Sequence, residues 1–231
     1  PFAAHPAWLE MRTLSPAERY RRLAGDAELR RRLVEQPAGD GPRAFMAEAF
    51  HKMFPIGERP DYEPEAGNSI AAIARRSGRT PQAVALDEMM ARGGKGLLML
   101  PFENYAHGNL DTVHEMITDP ATVLGVADGG AHVGVICDAS SPTSLLTLWG
   151  RDRTRGPKLP LEFLVAKQTR GTAEAYGLTD RGLLAPGHKA DINVIDFDAL
   201  ALERPEVVYD LPAGGRRLIQ RARRPAGRRP P

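Results

Sequence analysis

Two short apolar runs constrain this chain more than any other feature: GLLMLP, Gly96 to Pro101, and VLGVA, Val123 to Ala127, with the helical pattern NLDTVHEMITD between them. Parallel strands need a crossover of a dozen or more residues, usually a helix, and strands buried on both faces read as continuous apolar runs. The spacing therefore predicts a βαβ unit and an α/β fold. VLGVA leads straight into DGGAH, Asp128 to His132. An Asp-Gly hairpin turn accounts for that pattern too, but in parallel α/β folds the chemistry gathers at the carboxyl ends of strands. Asp128 stands at such an end.

The rest of the chain reads mainly as helix. Ser15, Pro16 and Glu18 form a capping-box signature for SPAERYRRLAG, Gly25 closes it, and Asp26 caps an Arg-rich helix to about Gln36. AFMAEAFHKMF is a short helix. Asn68 is expected to cap SIAAIARRSG, and Thr80 with Pro81 opens TPQAVALDEMMARGG; both segments place apolar residues three and four apart. PTSLLTLWGRDR and LPLEFLVAKQTRGTAEAYGL are helical by period, while ADINVID reads as a strand.

Composition narrows the classes. A hydrophobic content of 42% supports a buried core. No run approaches the roughly 18 apolar residues of a membrane helix, and PFAAHPAWLEMRTLS lacks a basic region followed by an apolar one, so no membrane partner is expected. One cysteine, Cys137, cannot form an internal disulfide, which fits a cytoplasmic setting; nothing marks a base for it as a nucleophile, and it reads as a packed thiol. Seven arginines lie from Arg216 onward with no acid among them, so the net charge of +2 belongs to a basic tail and the preceding body is acidic. A Pro/Arg stretch without apolar periodicity reads as disordered, and the acidic body weighs against nucleic acid as a partner.

An aspartate is ionised at neutral pH, so Asp128 can bind a cation and accept a proton from water. Gly129 and Gly130 let the backbone turn sharply and approach a substrate closely. His132 can touch metal or substrate, or serve as an ordinary loop histidine. Asn104, Tyr105 and His107, in PFENYAHGNL, follow the first apolar run and are candidates for the same rim. Arg151 and Arg153, in WGRDR, offer a fork for a substrate carboxylate, with an ion-pair cluster as the alternative.

The segments ADGGAHVGVICDASSPTSLLTLWGRDR, LPLEFLVAKQTRGTAEAYGLTDRGLLAPGHKADINVIDFDAL and YDLPAGGRRLIQRA resemble the C-terminal part of the amidohydrolase superfamily, specifically its N-acyl-D-amino-acid deacylase (D-aminoacylase-like) branch. The likeness runs from about Asn68 to Ala222. It implies a C-terminal fragment of a (β/α)8 TIM-type barrel over residues 1–181, a segment of a small β-sandwich domain over 182–215, and the basic tail over 216–231. It further implies that Asp128 is a metal ligand and general acid/base beside one or two zinc ions. Gly129, Gly130, His132, Asn104, Tyr105, Arg151 and Arg153 would then line the site of a small N-acyl amino acid substrate.

The family also needs a His-x-His pair and further ligands, and this chain contains no His-x-His among its six histidines. Seven βα units need on the order of 200 residues, more than stand before Asp128. The expectation is an incomplete chain that needs the missing N-terminal barrel half and binds no zinc by itself. A cyclic-amide hydrolase of the dihydropyrimidinase type and a non-catalytic chain with a nucleic-acid-binding tail are the rival readings.

Overall fold

Helix signals decide most of what forms. In the computed structural model, which describes residues 1–39, 44–125 and 133–223, the chain is mixed α/β and divides into two compact units. The first comprises residues 1–57 and 64–108, the second 58–63 and 109–231.

In the first unit α1 (Pro6–Leu9) is capped by the His5 imidazole. α2 (Pro16–Gly25) carries the capping box: the Ser15 hydroxyl accepts from the Glu18 N–H, and the Glu18 carboxylate accepts from the Ser15 N–H at 2.9 Å. Asp26 caps α3 (Ala27–Glu35). α4 (Ala44–Ala47) is a single turn, and a 3-10 turn over Phe50–Lys52 precedes β1 (Phe54–Pro55). The cap of α5 (Ile70–Ser77) is Ser69 rather than Asn68, because a 3-10 turn over Ala66–Asn68 takes up the asparagine. Thr80 caps α6 (Pro81–Gly94), whose helical backbone breaks at Ala91. β2 (Leu98–Met99) follows. Between α6 and β2, Gly96 has no alternative: a Cβ there would lie 1.6 Å from the Glu88 carbonyl oxygen. The apolar faces of α2, α3, α5 and α6 meet in one core containing Leu23, Leu29, Leu33, Ile70, Val84 and Leu86.

The second unit holds α7 (Asp111–Thr118), α8 (Ser141–Ser144), a π-helix over Leu145–Asp152, α9 (Leu161–Gln168) and α10 (Arg170–Ala175). Ile117, Leu145, Leu146, Trp149, Leu159 and Leu164 form its core. β3 (Ala201–Leu202) pairs with β6 (Ala222–Arg223), and β4 (Glu206–Leu211) with β5 (Gly215–Ile219). Arg216 to Ile219, expected in a basic tail, lie in β5: Leu218 faces Val207 across the hairpin and Arg217 is paired with Asp210 at 2.7 Å.

The βαβ expectation is corrected. β2 pairs antiparallel with β1, and every strand pair among the described residues is antiparallel. Val123 to Gly125 form no strand, and Val123 is 47% exposed. ADINVID is likewise no strand, and its Val194 is 98% exposed. An apolar run becomes a strand only when a partner strand satisfies its backbone groups, and these two find none among the described residues. No helix of the described residues is long and apolar enough to cross a membrane.

Leu33 is fully buried in the first core. Leu33→Ala should lower stability by about 2–5 kcal/mol, read as a lower urea midpoint at unchanged slope.

Candidate functional site

The sequence-predicted centre, Asp128 with Gly129, Gly130 and His132, lies outside the described residues. Its flanks are described. Leu124 packs on the core of the second unit, and on the far side the Val133 carbonyl accepts from the Leu218 N–H of β5 at 2.7 Å.

Asn104 and Tyr105 belong to the first unit. Asn104 is exposed and left-handed at φ 59°, a region asparagine enters more readily than most residues. Tyr105 is buried; its hydroxyl donates to the Pro64 carbonyl at 2.6 Å and its ring stands edge-on to Phe54. His107 is exposed. Cys137 is half-buried, and its carbonyl accepts from the Ser140 hydroxyl at 3.2 Å.

Arg151 and Arg153 lie in the second unit, and both take the ion-pair form. Arg151 donates from Nε and Nη2 to the Asp152 carboxylate at 2.6 and 2.9 Å and from Nη2 to the Leu200 carbonyl at 2.7 Å, with its guanidinium over Phe197. Arg153 is 1% exposed. Its Nε and Nη2 grip the two oxygens of Glu63, each at 2.9 Å; Nη2 also reaches Asp111 at 2.6 Å, and Nη1 reaches the Pro157 carbonyl at 3.3 Å. The Trp149 ring lies 4.8 Å from the guanidinium carbon, and the His114 ring 6.1 Å from that of Trp149. With these bonds made, neither guanidinium presents an open fork to a substrate carboxylate.

Glu63 and Asp111 are the residues that sequence reasoning missed. Glu63 stands 90 positions from its partner, with no local pattern to mark it. It also accepts from the Leu110 N–H at 2.8 Å, and Arg155 donates to its carbonyl at 2.9 Å. Asp111 shows only the ordinary signal of an acid in a helix's first turn. Gly156 makes the packing possible, since a Cβ there would lie 2.5 Å from the Arg153 guanidinium.

Burial pushes the Glu63 carboxyl up, but hydrogen bonds from Arg153 and the Leu110 N–H, with the charges of Arg153 and Arg155, outweigh it and hold the carboxyl below the usual range. Among the described residues no three His, Cys, Asp or Glu side chains gather as a metal ion needs. Asp128, the ligand that the resemblance implies, lies outside those residues.

The comparisons with known proteins meet this geometry at the level of family. The profile of the amidohydrolase family matches residues 38–218. That is well over half of the chain, which therefore belongs to the amidohydrolase family. Adenine deaminase 2 of Desulfotalea psychrophila (strain LSv54 / DSM 12343) is 30% identical over 137 residues, 57% of this chain and 22% of that protein. Imidazolonepropionase of Paracoccus denitrificans (strain Pd 1222) is 35% identical over 114 residues, 48% of this chain and 26% of that protein. The matched stretch thus spans about a quarter of the length of these relatives. No solved structure matches the chain.

Two outcomes follow for the buried pair. A carboxyl whose pKa is depressed by folding contributes stability that is present above its unfolded value, near 4.3, and lost as pH falls through the folded value. Glu63→Gln should therefore cost about 3 kcal/mol at neutral pH and flatten the decline in stability below about pH 4, both read by urea unfolding across pH. Gly156→Ala should cost about 1–3 kcal/mol by crowding the guanidinium, and the double variant should cost less than the sum.

Proposed function

We propose that this chain forms part of a metal-dependent hydrolase that cleaves a C–N bond in a small molecule, a linear amide of the N-acyl-D-amino-acid type. The observation that supports a hydrolase is the family match over residues 38–218, which includes Asp128 and most of the β4–β5 hairpin; the choice of a linear amide rests on the sequence resemblance described above. The barrel and small β-domain division, the need for the remaining barrel half and a cytoplasmic setting belong to the same proposal.

Amide hydrolysis needs a nucleophile, a polarised carbonyl and a protonated leaving nitrogen. A divalent ion such as zinc supplies the first two when bound. Asp128 is assigned the proton: ionised at neutral pH, its carboxylate accepts one from the attacking water and returns it to the departing nitrogen. Gly129 and Gly130 keep the approach clear, and His132 is the assigned substrate contact.

A second reading, a cyclic substrate, has its own support. Both curated relatives are named for ring compounds, and the internal bonds of Arg151 and Arg153 leave no open fork for the carboxylate of an acyl amino acid.

The test is a substrate panel on the product of the complete gene: N-acetyl-D-amino acids against dihydrouracil, adenine and imidazolone propionate. The expected result is preference for the N-acetyl-D-amino acids. Asp128→Asn should lower kcat by about 100-fold or more. Turnover of ring substrates alone replaces the first reading by the second, and turnover of neither overturns both.

A further inference from the structure

We propose that the loop at residues 183–190, within the second unit, binds a short aliphatic carboxylate. The loop curls around a cavity of about 270 Å³ lined by Leu183, Leu184, Ala185 and Pro186 together with His188 and Lys189. That volume falls under the range of about 300–1,000 Å³ usual for larger organic ligands. Its occupant is therefore a small molecule.

The concavity is held by the backbone of the loop itself. The His188 N–H donates to the Ala185 carbonyl at 3.1 Å, closing a turn in which Gly187 takes the left-handed conformation at φ 85°. The Lys189 N–H then ties the loop back to the Asp180 carbonyl at 2.7 Å. Leu183 and Leu184 are left 45% and 81% exposed, so the walls offer apolar surface still available for burial.

The polar end presents donors. His188 Nδ1 is shut off from solvent and has no hydrogen-bond partner among the described residues. A buried lone pair without a partner is tolerated better than a buried N–H, so the proton of the neutral imidazole sits on Nε2. With Nδ1 enclosed, the Nε2 edge of the ring is the one left to line the cavity. Lys189 adds an ammonium. Its ion pair with Asp191, at 2.8 Å, is solvent-exposed on both sides, and such a pair is readily exchanged for another anion. Two donors beside apolar walls call for a charged acceptor on an apolar body, which is a carboxylate on a short alkyl chain. A cationic ligand would be repelled by the ammonium, and a wholly apolar one would leave both donors unanswered.

The test is a titration of hexanoate into the product of the complete gene, followed at the His188 Cε1–H resonance by proton–carbon NMR, with the resonance assigned by its absence in His188→Gln. A saturable shift in the millimolar range is expected. Acetate keeps the charge without the chain and hexanol the chain without the charge; each should bind at least about 5-fold more weakly. Lys189→Met and Leu184→Ser, both at exposed positions, should each weaken hexanoate by about 5-fold or more, with the thermal midpoint and turnover of the best panel substrate unchanged. A His188 resonance that does not respond, a response that survives both substitutions, or hexanol binding as tightly as hexanoate overturns the site. So does a Lys189→Met variant that loses turnover along with hexanoate, since the acid would then be occupying the reaction centre instead.

Discussion

The second unit depends on a charge that water does not reach. A guanidinium taken out of solvent is tolerable only if carboxylates and carbonyls replace its hydration. Glu63 does most of this with two parallel bonds, the fork geometry that makes arginine rather than lysine the natural partner for a carboxylate. The remainder comes from Asp111, whose side chain is half in solvent, and from the face of Trp149. The arrangement gathers residues from three parts of the sequence: the short segment 58–63, the start of α7 and the end of the π-helix. Replacing the carboxylate by an isosteric amide leaves the cation short of charge rather than short of space.

What was legible in the sequence is what depends on near neighbours. Ser15 with Glu18, Asp26 and Thr80 cap helices because a cap needs only the next three residues. Even the error at Asn68 is local: the asparagine enters a 3-10 turn, and the adjacent serine, whose hydroxyl accepts from Ala72, takes over the cap. Strands were less legible for the opposite reason. GLLMLP yields a two-residue strand, and ADINVID yields none, because a strand is defined by a distant partner that its own residues do not specify. The β4–β5 hairpin forms because its partner is four residues away, across a tight turn with Ala213 and Gly214 left-handed.

The same division governs the candidate site. DGGAH is recognisable as a motif, since acid, glycines and histidine are contiguous, and the family profile spans it. Arg151 and Arg153 were legible only as arginines. A carboxylate clamp and a structural ion pair use identical side chains; what separates them is whether a carboxylate of the chain itself already fills the fork. Glu63, 90 residues from its partner, could not be assigned by spacing.

The π-helix at Leu145–Asp152 bears on how this stretch tolerates change in length. Its rings close over five residues, as in the bond from the Arg153 N–H to the Leu148 carbonyl at 2.8 Å, so the segment holds more chain per turn than an α-helix does. A single-residue deletion within it would narrow a ring instead of rotating everything that follows, and Trp149 and Arg153 could keep facing the same core. The wide turn is thus a reserve of length, placed next to the charge that tolerates displacement least.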